Sequence, residues 1–200
     1  MGATLASIGF LIALQLIYWS GRYLLDMNGG TGPPFLAVLA CVLLFNLFWS
    51  GLGRLQKTPP PLIEREKYQE RLIELCAVGA SEEGARALLT FIIYAITHAL
   101  YEWRWWGTTS HVHTWIDAWG WPGIVSVAIS NVLFALAHVV APSKYGLRTG
   151  WLGPLLVGTL FSVGLLNWGP MGAIALHTAY NALGITTILV CQQKNQPQSA

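Results

Sequence analysis

Long apolar runs constrain this chain more than any other feature. Six stretches are apolar enough, and close enough to 20 residues, to cross a bilayer as helices: 4–25, 35–53, 87–106, 121–141, 150–167 and 170–191. In hydrocarbon every backbone N–H and C=O must find a partner within its own segment, so runs of this kind are helical. The expected fold is therefore all-α: a polytopic integral membrane protein of about six transmembrane helices. Composition agrees. Of the 200 residues, 54% are hydrophobic and only 10% are charged, against roughly 25% charged in soluble domains. A formal charge of +2 with no basic stripe gives nucleic acid no footing.

The chain reads as one membrane domain, 1–200. Two N-terminal spans occupy 1–57, a connector 58–80, a core 81–191 and a disordered tail 192–200. The first run lacks a basic flank and a small-residue cleavage site, and so reads as a retained helix rather than a signal peptide. The connector opens on Thr58-Pro59-Pro60-Pro61, a stiff helix breaker. From Leu62 to Cys76, the apolar Ile63, Leu72, Ile73 and Cys76 are set among mixed charges. This is the pattern of an amphipathic helix lying on the cytoplasmic membrane surface. Ser81-Glu82-Glu83 resembles an N-cap followed by first-turn acids, which starts a new helix there. Arg54, Lys57, Arg65, Lys67, Arg71, Arg86, Lys144, Arg148 and Lys194 fall on one side of the spans, and only Arg22 and Arg104 on the other. The positive-inside rule then puts both termini in the cytoplasm. Cys41, Cys76 and Cys191 are far apart and read as buried free thiols.

Three polar patches interrupt the apolar C-terminal half. His138 ends Phe134-Ala-Leu-Ala-His138, and His177 begins His177-Thr-Ala-Tyr-Asn181. The i, i+4 spacing puts His177 and Asn181 on one helix face. The third patch is Tyr101-Glu102-Trp103-Arg104, with His98 one turn earlier. Ionisable groups at bilayer depth are costly and are usually retained for function. A desolvated carboxylate and imidazole can share a water and take its proton, while a second imidazole and an amide can stabilise an oxyanion. Glu102 with His138 would form the base, and His177 with Asn181 the oxyanion clamp, for amide hydrolysis. A carboxylate and imidazoles can also hold a divalent metal. Ser130 and Asn131, one to two turns before His138, join the polar interior or glue helices. His111 and His113 read as an exposed loop pair.

The pattern FxxxH followed by HxxxN resembles the CPBP intramembrane proteases, which include the type II CAAX prenyl endopeptidases and the bacterial Abi-type proteins. Phe134–His138 matches the second motif of that family and His177–Asn181 the third, within a resemblance covering about Leu88 to Leu189. It implies a membrane-embedded endopeptidase acting on a peptide or membrane-protein substrate. The first family motif, Glu-Glu-x-x-x-Arg followed by Gly, is divergent here. Aligning Gly107 with the family glycine puts Glu102 at the second glutamate, Tyr101 at the first and Trp106 at the arginine, with Arg104 nearby. Another match, Glu82-Glu83-Gly84-Ala85-Arg86, has both acids but is one residue short and lies far before His138; Glu102 is the preferred acid. Glu102 then meets His138 only if the third helix continues through Thr108 to about Ile116. Two other classes remain open. One is a catalytically inactive subunit or chaperone of a larger membrane complex. The other is a haem or pigment protein ligated by the histidines.

Overall fold

The computed structural model describes residues 9, 11–20, 33–55, 64–104, 115–140 and 151–195. Among them every regular element is helical. Helix α1 covers Leu11–Ser20, α2 Phe35–Leu55, α3 Tyr68–Arg104, α4 Trp115–Val140, α5 Leu152–Trp168 and α6 Pro170–Asn195. A short 3-10 turn, Arg65–Lys67, leads into α3.

The six helices only partly match the six expected spans. Among the described residues, two of them contain segments both long and apolar enough to cross a membrane, Gly120–Val139 in α4 and Pro170–Gln192 in α6. The described apolar parts of α1, α2 and α5 are shorter. Helix α6 continues to Asn195, into the segment expected to be a disordered tail.

The largest departure from expectation is α3. The surface helix and the third span are one continuous 37-residue helix. Ser81 is not a cap: its hydroxyl donates to the Val78 carbonyl at 2.8 Å, a back-bond made inside a helix. Gly79-Ala80-Ser81 contains no proline and nothing bulky, so the helix runs through it and packs closely on α6.

Helices α3, α4, α5 and α6 form a ring, each packed on the next, with α6 returning to α3; α2 lies against α5 and α6. Side-chain pairs fix the directions. Thr90 meets Ser130 and Thr97 meets the Pro122 carbonyl, so α3 and α4 are antiparallel. Tyr68 meets Thr186 and His177 meets Glu83, so α3 and α6 are antiparallel as well. Apolar packing surrounds Val38, Val42, Val157, Phe161 and Leu176, and a second cluster joins Ala87, Leu165 and Ala173.

The ring interior also holds Glu83, Arg86 and Thr90 from α3, Ser126, Ser130 and Asn131 from α4, Ser162 from α5 and His177 from α6, all buried. The outward faces are apolar instead. Leu88, Ile92, Ile96 and Leu100 make an exposed stripe on α3, and Val125, Ile129, Val132, Leu136 and Val139 another on α4. Polar groups inside with large apolar groups outside is the reverse of a water-soluble bundle.

The α5–α6 turn is held by α1. Gly169 has φ 75°, and Pro170 opens α6 at the position where a missing N–H does no harm. Gln15 donates to the Trp168 carbonyl at 3.2 Å and accepts from the Met171 N–H at 3.0 Å. The Tyr18 hydroxyl donates to the Leu166 carbonyl at 2.8 Å. A Cβ on Gly169 would lie 2.6 Å from Gln15 Nε2. Gly169→Ala should therefore destabilise the protein by roughly 1–3 kcal/mol, combining an unfavourable φ with a clash. A thermal melt of the detergent-solubilised variant checks this; an unchanged midpoint would show that α1 does not clamp the turn.

Candidate active site

Three helices bring ionisable side chains to one place near the C-terminal end of α4. Glu82 and Glu83 come from α3, His138 from α4 and His177 from α6. The two acids are adjacent in sequence but about 100° apart around the helix, and this separates their environments. The Glu83 side chain is 0% exposed, whereas Glu82 and His138 are 33% and 29% exposed. Glu82 and His138 therefore form the accessible rim, and Glu83 lies behind it.

His177 stands between the two acids. Its Nδ1 lies 3.0 Å from Glu83 Oε1 and its Nε2 3.7 Å from Glu82 Oε2. His138 Nε2 is also 3.7 Å from Glu82 Oε2. His138 Nδ1 is 2.8 Å from the Phe134 carbonyl, an acceptor, so this nitrogen carries the proton and Nε2 faces Glu82. Spacing i to i+4 is what gives the FxxxH pattern this bond. The Phe134 ring packs on both imidazoles, 4.3 Å from that of His138 and 6.4 Å, edge-on, from that of His177. Phe161 stacks on His177 at 4.6 Å. These aromatic contacts hold both rings in place.

Asn181 lies one turn beyond His177, as its spacing requires, but its amide is partly engaged. Nδ2 donates to the Leu75 carbonyl at 3.0 Å, tying α6 to α3. The second amide hydrogen is the one left for a ligand. Gly79 makes this approach feasible: a Cβ there would lie 3.1 Å from both Asn181 Nδ2 and His177 Cδ2.

Behind the rim, Arg86 is buried and pairs with Glu83. Its Nε donates to Glu83 Oε2 at 2.9 Å, and Nη2 donates to the same oxygen. Its Nη1 reaches Asn131 Oδ1 at 3.0 Å, the Gly158 carbonyl at 3.1 Å and Ser162 Oγ at 2.5 Å. The guanidinium carbon also lies 5.8 Å from the centre of the Phe134 ring.

His138 and His177, singled out from the sequence, thus meet at Glu82, and Asn181 lies one turn beyond His177 beside Gly79. The acid assigned to them is corrected. Glu102 lies 19 residues beyond Glu83 on the same helix, roughly 28 Å along its axis. The carboxylates facing the histidines are Glu82 and Glu83. Helix α3 is described as far as Arg104, and the expected extension toward Ile116 runs through 105–114, outside the described residues. His98 shares the fate of Glu102: it packs on Tyr94 at 5.5 Å, well away from the site. The side chains of Glu102 and Arg104, and all of His111 and His113, lie outside the described residues. Sequence reasoning passed over Arg86, which the match Glu82-Glu83-Gly84-Ala85-Arg86 already contained. The one-residue deficit in that match is what sets Glu83 and Arg86 at i, i+3, where their side chains pair.

Chemically, a partly exposed carboxylate and an imidazole nitrogen that share one face can hold a water and accept its proton. Among the described residues no group of three His, Cys, Asp or Glu side chains is arranged to hold a metal ion. Comparison of the chain with protein-family models, with curated proteins and with solved structures finds no match.

Proposed function

We propose that the chain is a membrane-embedded endopeptidase of CPBP type in which Glu82, not Glu102, activates water together with His138. The observation that carries this reading is the convergence of Glu82, His138 and His177 from three helices on one partly open mouth. On this assignment Glu82-Glu83-Gly84-Ala85-Arg86 supplies both acids and the arginine of the family's first motif, one residue closer together. The family's first glutamate, thought to be its base, then falls on Glu82, the more exposed of the two acids.

Water bound between Glu82 and His138 Nε2 gives a proton to this pair, and the hydroxide attacks the carbonyl carbon. The developing oxyanion lies toward α6, where the remaining Asn181 hydrogen donates to it. His177, whose Nδ1 proton is committed to Glu83, turns the Nε2 lone pair toward the Glu82 side and helps hold the water instead of clamping the oxyanion. Collapse breaks the C–N bond, and the departing amine recovers the proton from the Glu82–His138 pair.

The polar ring inside an apolar exterior supports a bundle immersed in lipid, with six membrane-crossing segments. Charge asymmetry between the loops puts both termini in the cytoplasm. The site lies toward the end of the bundle where α2 and α4 end and α3 begins, the end that the basic residues flank. A peptide or membrane-protein substrate would be cut near the cytoplasmic surface.

The test is cleavage by the purified full chain in liposomes, supplied with a proteome-derived peptide library and read by mass spectrometry as new peptide termini. Wild type should produce them, and His138→Ala and His177→Ala should not. Cleavage that persists in both variants would discard the proposal. A wild type that cuts nothing, yet co-purifies with a larger membrane assembly, would favour an inactive subunit.

A further inference from the structure

Among the described residues, the hydrogen-bonded network of Arg86, Glu83, Asn131 and Ser162 meets α6 at one point. Asn131 Oδ1 accepts from Arg86 Nη1 and from the Ser162 hydroxyl, each at 3.0 Å. Asn131 Nδ2 reaches Thr159 Oγ1 at 3.4 Å. Ser162 also lies 2.8 Å from the Gly158 carbonyl, within its own helix. Glu83 Oε2 takes both donors from Arg86. Every one of these contacts joins α3, α4 and α5 internally. The exception is Glu83 Oε1, which leaves the network to meet His177 Nδ1 on α6.

We propose that Asn131 and Ser162 are positioning residues for His177, acting through Arg86 and Glu83. A guanidinium is planar, and a carboxylate bound along its Nε–Nη2 edge is held relative to that plane. Asn131 and Ser162 grip the opposite corner, Nη1, from two different helices, and so fix the plane. The plane fixes Glu83, and Glu83 Oε1 holds the imidazole with its proton on Nδ1 and Nε2 turned toward Glu82. This is the arrangement by which an acceptor on one ring nitrogen sets the tautomer presented by the other. Helix cohesion alone does not account for the network. A buried ion pair is often no more stabilising than apolar residues of similar size. The helices are also joined elsewhere, α3 to α4 by the Thr90–Ser130 hydrogen bond at 2.9 Å and α5 to α6 by close packing of Gly164 on Gly172.

The inference rests on reading His177 as part of the hydrolytic site, but its test does not need activity. The full chain, labelled with 15N-histidine and placed in lipid nanodiscs, reports each ring's tautomer by NMR. Wild-type His177 should show one form, with the proton on Nδ1. Asn131→Leu and Ser162→Ala should each produce a mixture of tautomers, and Ser162→Thr, which keeps the hydroxyl, should restore the single form. His138 is anchored to its own helix by the Phe134 carbonyl and should be unchanged throughout. Where cleavage is measurable, kcat should fall roughly 10- to 100-fold with KM little changed, the usual effect of losing an outer partner that orients an imidazole. An unchanged His177 spectrum in both variants, with only a lowered melting temperature, would overturn the proposal, as would a wild-type ring lacking the Nδ1 proton. If Asn131→Leu does not fold, Ser162→Ala decides, since it removes one oxygen atom. If wild type cuts no peptide while the ring still responds, the hydrolase reading fails and the positioning role stands.

Discussion

Glu82→Gln should lower peptide cleavage by roughly 10²- to 10⁴-fold, the span that a positioned general base usually contributes, whereas Glu102→Gln should leave it unchanged. Glutamine keeps the size and the hydrogen-bonding shape of Glu82 but cannot take a proton from water. The side chain is one-third exposed and faces imidazoles at 3.7 Å, so the variant should fold normally. Its loss should therefore appear in kcat with the melting temperature preserved. Glu102 serves as the control because its place on α3 separates it from both histidines by most of the helix's apolar length. The reverse outcome, activity retained in Glu82→Gln and lost in Glu102→Gln, would return the base to the other end of α3. It would also require a different register of α3 against α4 and α6. Equal activity in both would remove carboxylate base catalysis from the mechanism altogether.

The second large effect concerns stability. Arg86→Met should destabilise the protein by roughly 3–5 kcal/mol, because Glu83, with its side chain fully buried, would keep a charge and lose the partner that matches it. The sealed interior around the pair leaves little room for water to soften that loss. Glu83→Gln combined with Arg86→Met removes both charges, and much of the loss should return. The pair should thus be strongly non-additive in a double-mutant cycle. Chemical unfolding in detergent micelles, followed by tryptophan fluorescence, measures all three variants. A single-variant loss below about 1 kcal/mol would mean that water or another cation reaches Glu83, and the description of it as sealed behind the rim would be wrong.

Much of the helical framework is legible in the residue order. The run 35–53 becomes α2, Phe35–Leu55; 150–167 becomes α5, Leu152–Trp168; and the start of 170–191 is the start of α6 at Pro170. Each ends at glycine or proline, or where the apolar run stops, signals that act over a few residues. The meeting of His138 and His177 was also readable, because both carry a patterned neighbour four residues away and sit in otherwise apolar helices. The long α3 was not. Ser81-Glu82-Glu83 has the composition of a helix start, yet the same residues continue a helix when their side chains find partners elsewhere. Ser81 turns back to Val78, Glu83 finds Arg86 and His177, and Glu82 faces two imidazoles. Local propensity is a weak prior against tertiary partners of that strength.

The choice of acid turned on the same point. A helix is a rigid ruler of 1.5 Å per residue, so a carboxylate's usefulness depends on how far along the helix it lies when neighbouring helices pack. Residue order alone established helices, a polar interior and two histidines committed to it, because period, length and composition are local properties. Which glutamate they meet, and that Asn131 and Ser162 reach Arg86 at all, was decided only by the antiparallel register of α3 against α4 and α6. That register brings together residues 94 positions apart, and it is set by packing and hydrogen bonding among all four helices, not by any one of them.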